Sequence, residues 1–440
     1  MPITKILRPL LRPFLVLVAS APIVILLLSI QTSADVSSAD SLSAEEMARI
    51  EQLLIESAPS SPGTPGSQSM NLNVDELNLL LGYGLNLLEL SPGWAAQLSI
   101  EDESLYSEMS VEILSGWVPL YLNITGEFVE EDSQLRLDKV TVGELQIPDR
   151  LVELGLNQIS SNLTQSTPVF EDVNTLIENV EAVEISGSQM QVQLHWDPVL
   201  IGRISDEAQQ LFITDEDRTR IIAYYESINE IATTIPTDIR AISLNSLLVP
   251  LFTEARNKST SGSDPIAESR TLLQALAIYV NDEDLSQLVG PEMAAEVPPA
   301  KFIEVRLQRR QDLAQHVVSI AAISASAGAE FAELLSTTKE AYDARYRSGF
   351  SFSDLTANTV GVTLANYLTA NPDTALEMQR RLANLQTESD YMPEVGNNRD
   401  GISESDFNAI YNDRNSAEYR QRLEEIQGII DSRPLFQGLQ

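Results

Sequence analysis

Apolar positions open the chain as one unbroken run, Pro13 to Ile30 (PFLVLVASAPIVILLLSI), and the only charges in the first thirty residues are Lys5, Arg8 and Arg12 ahead of it. A bilayer core takes ~20 apolar residues as a helix, with a lower limit near ~17. The run has 18, more than the ~7–15 of a cleavable signal's apolar region. It therefore predicts an uncleaved signal-anchor, with Pro22 tolerated inside it. Thr32-Ser33-Ala34 keeps a cleaved signal as the alternative. The basic flank predicts a single-pass protein with a cytoplasmic N-terminus and a body in the periplasm or outside the cell.

The pattern then becomes punctuated. Ser43-Ala44-Glu45-Glu46 reads as a capping box for a short helix carrying Met47, Ile50, Leu53 and Leu54. Residues 57–69 are a Ser/Pro/Gly linker, and the folded body is expected from Met70. Dense leucines predict a buried helix over 72–90. The period next falls to two: Leu98 and Ile100; Met109, Val111 and Ile113; Leu122, Ile124 and Phe128; Leu135 and Leu137 alternate with polar residues. Such alternation predicts half-buried antiparallel strands. A phase slip after Asp138, to Val140 and Val142, predicts a bulge. A helix over Leu151–Leu163 and strands near Val183–Ile185 and Met190–Leu194 complete one antiparallel sheet with a helix at each end.

Beyond Pro198 the period is helical. Thr214 to Asp217 caps a helix to about Ile231, Ser243 caps one bent at Pro250, and Asp264-Pro265 opens one to about Val280. Amphipathic segments follow at 305–345, 353–369 and 372–386. A loop at 387–402, a helix restarted by Ser403 to Asp406 and a last helix over 416–431 end the chain. The expected division is 1–34 signal-anchor, 35–69 short helix and linker, 70–198 sheet domain, and 199–440 helical domain. The class is α+β: an N-terminal membrane helix, an antiparallel sheet domain with flanking helices, then a mainly α-helical domain.

Charge narrows the partners. The chain has 28 Lys+Arg against 64 Asp+Glu, a net charge of −36. So acidic a body is repelled by nucleic acid and anionic headgroups, which excludes DNA or RNA binding. With no cysteine among 440 residues, disulfides and thiol chemistry are excluded and the core alone must hold the fold. Asn123, Asn162 and Asn257 stand in Asn-x-Ser/Thr sites, relevant only in a cell that glycosylates exported proteins.

Candidate chemistry is sparse. Of the two histidines, His195 ends an aromatic strand (His195-Trp196-Asp197-Pro198) and reads as packing. His316 lies four residues after Asp312, on one helical face, and an Ala/Ser-rich stretch follows from Ser319 to Ala329. Lys339, Glu340 and Asp343 come next, then Gly349-Phe350-Ser351-Phe352-Ser353-Asp354, a glycine turn into a helix capped by Ser353. Asn358 and Gly361 sit on that helix.

The spacing Asp-x-x-x-His, Lys-Glu-x-x-Asp, then Gly-Phe-Ser-Phe-x-Asp-Leu ahead of a glycine resembles the YfiM-type family of envelope lipoproteins of unknown function. The matching positions are Asp312, His316, Lys339, Glu340, Asp343, Asp354 and Gly361, within about 305–368. Asn358 stands where that pattern has a second aspartate, and no cysteine is present to carry a lipid. Residues 70–165, with Tyr121-Leu122-Asn123 and Val142 to Pro148, are similar to YpmS-type membrane-anchored envelope proteins.

One imidazole among carboxylates permits three readings. His316 with Asp312, Glu340 and Asp354 can do acid–base work. His316 with Glu340, Asp343 and Asp354 can hold a divalent cation such as Mg, Mn or Ca. The plainest is a satisfied polar network joining helices, with Lys339, Asn358 and Gly361 in supporting roles. Asn397 to Ser403 faintly echoes a calcium loop, but placing Gly401 sixth puts Phe407 at the carboxylate position, so the spacing fails. The expectation is a membrane-anchored envelope protein that is non-catalytic and binds an envelope protein, lipid or glycan, with no cofactor. The alternative is an envelope hydrolase or divalent-metal protein built on the His316 cluster.

Overall fold

The computed structural model describes residues 28–37, 44–57, 59, 64–87, 93–152, 154, 169–200, 213–327, 349–413 and 416–439. Two compact units emerge: Met1–Ile50 with Ser61–Leu200, and Glu51–Ser60 with Ile201–Gln440. The expected sheet–helical division, between 198 and 199, falls beside the Leu200/Ile201 boundary. Among the described residues no helix is long and apolar enough to cross a membrane. Residues 13–27 of the apolar run lie outside them, as do most of the helix expected over Leu151–Leu163 and Ser43 of the expected capping box.

The first unit holds two antiparallel sheets, not the single one expected. The larger follows the alternating segments: β3 (Trp94–Glu101), β4 (Ser104–Leu114), β5 (Leu120–Glu131), β6 (Gln134–Val142) and β7 (Leu145–Ile147) pair in that order. On β6, Lys139 faces Glu127 and Leu137 faces Phe128, leaving Asp138 as the bulged residue that the phase slip predicts. Strand β1 (Ile30–Gln31) pairs with β5 at Leu122 and Tyr121, so the end of the apolar run is already in this sheet. Of the linker expected over 57–69, residues 66–69 are already strand.

The smaller sheet is β2–β9–β8, from β2 (Gly66–Asn73), β8 (Val180–Ser186) and β9 (Gln189–Trp196). Its first strand corrects the helix expected from residue 72. Met70 and Leu72 alternate with Ser69, Asn71 and Asn73, and the helix α2 (Val74–Leu87) starts only afterwards. Asn73 Oδ1 accepts from Glu76 N while Glu76 Oε2 accepts from Asn73 N, a reciprocal cap that ends the strand. Helix α1 (Ala44–Ser57) precedes β2 and α3 (Val169–Glu178) precedes β8.

Helices make up most of the second unit. They are α4 (Asp215–Thr234), α5 (Asn245–Thr260), α6 (Pro265–Asn281), the short α7 (Ser286–Val289) and α8 (Pro291–Ala294), α9 (Gln311–Ala327), α10 (Phe352–Thr369), α11 (Pro372–Leu382), α12 (Glu404–Tyr411) and α13 (Ala417–Asp431). Thr214, Asp264 and Ser403 accept first-turn amides as predicted. Helix α6 is buried on nearly every side and runs through the core. A parallel pair, β10 (Ala241–Ser243) with β11 (Glu304–Arg306), interrupts the helices unforeseen. It also breaks the helical segment expected from 305, and α9 begins at Gln311. Ser243 ends β10, and its hydroxyl accepts from Asn245 N at the start of α5.

Phe350, Phe352, Phe407, Tyr411 and Tyr419 pack ring on ring, with centroids 4.9 Å apart for Phe350–Phe407 and 5.0 Å for Phe350–Phe352. Gly349, at φ +89°, lets this segment lie against residue 401, where a Cβ would stand 2.5 Å from the Gly401 carbonyl carbon. Phe350 and Ile402 exchange both backbone hydrogen bonds there.

Candidate functional site

His316 of α9 faces the start of α10, and the loop ahead of α12 joins the same cluster through Asp400. Asp312 and His316 both lie on α9, one turn apart. Asp354 and Asn358 occupy the facing turns of α10. His316 Nδ1 donates to Asn358 Oδ1 at 2.9 Å, and its Nε2 stands 3.5 Å from Asp354 Oδ2. The imidazole is 13% exposed and the Asp354 side chain 19%. Both ring nitrogens therefore face partners on α10.

Arg310, which no sequence pattern singled out, organises the carboxylates. Its guanidinium donates to Asp312 Oδ1 and Oδ2, to Asp354 Oδ1 at 3.3 Å and to Asp400 Oδ2 at 3.3 Å. It takes the central position a cation would need among three carboxylates. A two-residue turn holds it there: Leu307 and Arg310 exchange backbone hydrogen bonds, and Gln308 and Arg309 are left-handed, φ 50° and 67°. Such strain persists only where the surroundings fix it. Here Gln308 N donates to Glu388, its amide donates to Pro393 O, and its side-chain oxygen accepts from Val395 N.

Asp400 closes the cluster. Its Oδ1 accepts from Ser351 Oγ at 3.0 Å and Ser353 N at 2.9 Å. Ser351, not Ser353, caps α10, accepting from Asp354 N at 3.1 Å. Cap geometry chooses between the two serines, because only Ser351 lies three residues before that amide. Burial alone pushes both Asp312 and Asp400 upward. Arg310 more than offsets this at Asp312, as the Ser353, Ser351 and Arg310 donors do at Asp400, and both carboxyls end below the usual range. Asp312, followed by Asp354 and Asp400, raises the Arg310 guanidinium.

Gly361 sets the distance between the two helices. A Cβ there would stand 2.6 Å from Val317 O and 3.0 Å from Ala321 N of α9. This is the close approach that the small residues after His316 predict.

Of the expected site residues, Asp312, His316, Asp354, Asn358 and Gly361 come together. Lys339, Glu340 and Asp343 lie outside the described residues. Among the described residues no group of three or more His, Asp or Glu is arranged to hold a metal ion. Arg310 and Asp400 escaped the sequence reading because their pairing spans 90 residues. A local clue existed for each: Arg310 stands two residues from Asp312, and Asp400 lies in the stretch that echoes a calcium loop. His195 belongs to the first unit, half-exposed on β9 opposite Ser67 and 3.5 Å from Glu181.

A second polar cluster was also unforeseen. Asp217, 3% exposed, binds Arg220 Nη1 at 3.0 Å and Arg270 Nη2 at 2.9 Å. Tyr224 donates its hydroxyl to Glu268, which is 3.5 Å from Arg220 Nε. Burial, and then Glu268, hold the phenol far above its ordinary value. Asp217, Arg220 and Arg270 line an open cleft of about 610 Å³ together with Ser261 to Asp264.

Comparison with protein-family models, curated proteins and solved structures finds no match for this chain.

Proposed function

We propose that this chain is a membrane-anchored cell-envelope protein with a non-catalytic, binding or scaffolding role toward an envelope protein, lipid or glycan. The observation that carries the non-catalytic reading is the pairing of His316. One ring nitrogen donates to Asn358 and the other faces Asp354, whose carboxylate also binds Arg310. A general base needs a free nitrogen toward substrate, and here Nε2 meets a carboxylate of the fold itself. The Gly-Phe-Ser-Phe-x-Asp segment is accounted for in the same way: Phe350 and Phe352 enter the aromatic cluster, Ser351 caps α10 and Asp354 joins Arg310. The cluster acts as a clasp between α9, α10 and the 400 loop. The basic flank and apolar run support the anchor, and the acidity of the body supports an aqueous compartment beyond it.

His316→Ala tests the clasp. Losing both contacts from a mostly buried ring should lower stability by about 1–3 kcal/mol, read as an earlier urea midpoint. An unchanged midpoint would remove the clasp and favour the hydrolase or divalent-metal alternative. Flotation of the full chain with membranes after a high-salt wash tests the anchor, and recovery in the soluble fraction would refute it.

A further inference from the structure

The chain leaving the apolar run is held by the larger sheet well beyond the two residues of β1. Leu28 and Ser29 are helical, and Leu28 O accepts from Glu144 N in the β6–β7 turn at 2.8 Å. Past the strand, Asp35 N donates to Ser110 Oγ at 3.0 Å and to Asn123 Oδ1 at 3.3 Å. Val36 N donates to Ser110 Oγ at 3.0 Å, and the Val36 side chain is buried. From Leu28 to Val36 the chain is thus fastened to β4, β5 and the β6–β7 turn.

The sheet is shaped to receive this segment at three places. Ser110 and Asn123 face each other across β4 and β5, and both are 3% exposed. Polar groups buried so deeply need partners. Asn123 Oδ1 accepts from Ser110 Oγ at 2.7 Å, while Asn123 Nδ2 donates to Gln31 Oε1 and to Ser33 O. The amide donors therefore end on residues ahead of Ala34. Gly143, at φ +59°, is the second place: a Cβ there would collide with Leu28 O and stand 2.9 Å from Ser29 O. The third is the edge of β5, where the pairing with β6 has ended at Ile124 and Leu122 and Tyr121 take Ile30 and Gln31 instead.

Thr32-Ser33-Ala34 is the stretch a cleaved signal would end on. A cut after Ala34 would discard β1, the Leu28 contact and both acceptors of the Asn123 amide together. A donor left buried without an acceptor is destabilising. The sheet as built therefore requires residues that such a cut removes.

We infer that Leu28–Val36 is a strap of the sheet unit that the mature protein retains, so that the Ala34–Asp35 bond is not a processing point. The strap goes beyond the anchored reading, since its contacts hold whether or not the apolar run spans a bilayer. Where the run is kept as an anchor, the strap fastens the sheet directly to its end.

Hydrogen exchange and intact mass of the full chain, produced in an exporting bacterial host, test the strap together. Amides of residues 28–37 should exchange over minutes to hours, like those of β5, because their release requires local unfolding of the sheet. Asn123→Ala removes three contacts, each worth roughly two- to tenfold. Exchange of 28–37 should then quicken by about tenfold or more, while β3, at the far edge of the sheet, keeps its rate. Gln31→Ala removes one contact from the strap side, leaves Asn123 in place, and should quicken the same peptide by roughly two- to tenfold. Exchange of 28–37 within seconds in the parent would overturn the strap. The intact mass should show a first residue at or before Leu28, and a mature chain beginning at Asp35 would overturn the inference. A chain that keeps Leu28 and exchanges slowly there, yet is recovered in the soluble fraction, refutes the anchor and leaves the strap standing.

Discussion

Gly361→Ala is the sharpest probe of the clasp, because one methyl group should act against its own helix propensity. Alanine in a helix interior is worth about 1 kcal/mol over glycine, so an open site would gain stability. At Gly361 the new Cβ meets Val317 O at 2.6 Å, Ala321 N at 3.0 Å and Ile320 Cβ at 3.2 Å. The first two are backbone atoms of α9 and cannot rotate away. Carbon–oxygen contacts settle at about 3.3–3.6 Å, so the helices must part by roughly 0.7–1 Å. A gap of that size forfeits about a quarter to a half of each dispersion contact across the seam. It also opens one turn from Asn358, where the His316 hydrogen bond is 2.9 Å. Overpacking of this kind costs about 1–3 kcal/mol, and a net loss of about 2 kcal/mol should lower the melting temperature of the helical unit by about 4–8 °C. Gly428, on α13 with nothing within 4 Å of its Cβ position, is the matched control. Gly428→Ala should raise the midpoint by about 2–4 °C. Calorimetry of both variants decides, and a Gly361→Ala protein as stable as the parent would refute the close α9–α10 contact.

Two further outcomes follow from the same contacts. Asp312 and Asp400 have folded pKa values below their unfolded ones, so the stability they contribute is present above the unfolded value of about 3.9 and is lost as pH falls through the folded values. The melting temperature should therefore drop below about pH 4. Asp400→Asn should be less stable at neutral pH and converge with the parent in acid, whereas parallel curves from pH 7 to 2 would contradict the assignment. Tyr224→Phe should cost about 1–3 kcal/mol, because it leaves the buried Glu268 carboxylate without its hydroxyl donor. An unaltered urea midpoint would show that Glu268 finds another partner.

Much of the fold was legible wherever the information is local. Alternation located the strands of the larger sheet, and the slip at Asp138 located its bulge, because side-chain period is a property of a few consecutive residues. Thr214, Asp264 and Ser403 were readable as caps for the same reason. Strand β2 was hidden because it runs into α2 without a turn, and the leucines of the helix dominate the window. The β10–β11 pair joins residues about sixty apart in the chain, and no short window contains both. At the site, Asp312 and His316 shared a helical face visible in the sequence, and the small residues from Ser319 to Ala329 allowed another helix to approach closely. Asp400 and Arg310 belong together only through the tertiary fold. The choice of Ser351 over Ser353 as cap turned on where the first helical residue falls, a boundary that residue type alone does not fix.

Asp400 has a kinetic consequence. Its contacts to Arg310, Ser351 and Ser353 span 90, 49 and 47 residues, and the entropy of closing such loops is spent before the contacts reward it. The closure to Arg310 is the longest of the three and should form last. Interactions absent from the folding transition state act mainly on the rate of unfolding. The clasp therefore governs the lifetime of the folded helical unit more than the speed at which it assembles, a useful division of labour for an acidic domain without a single disulfide.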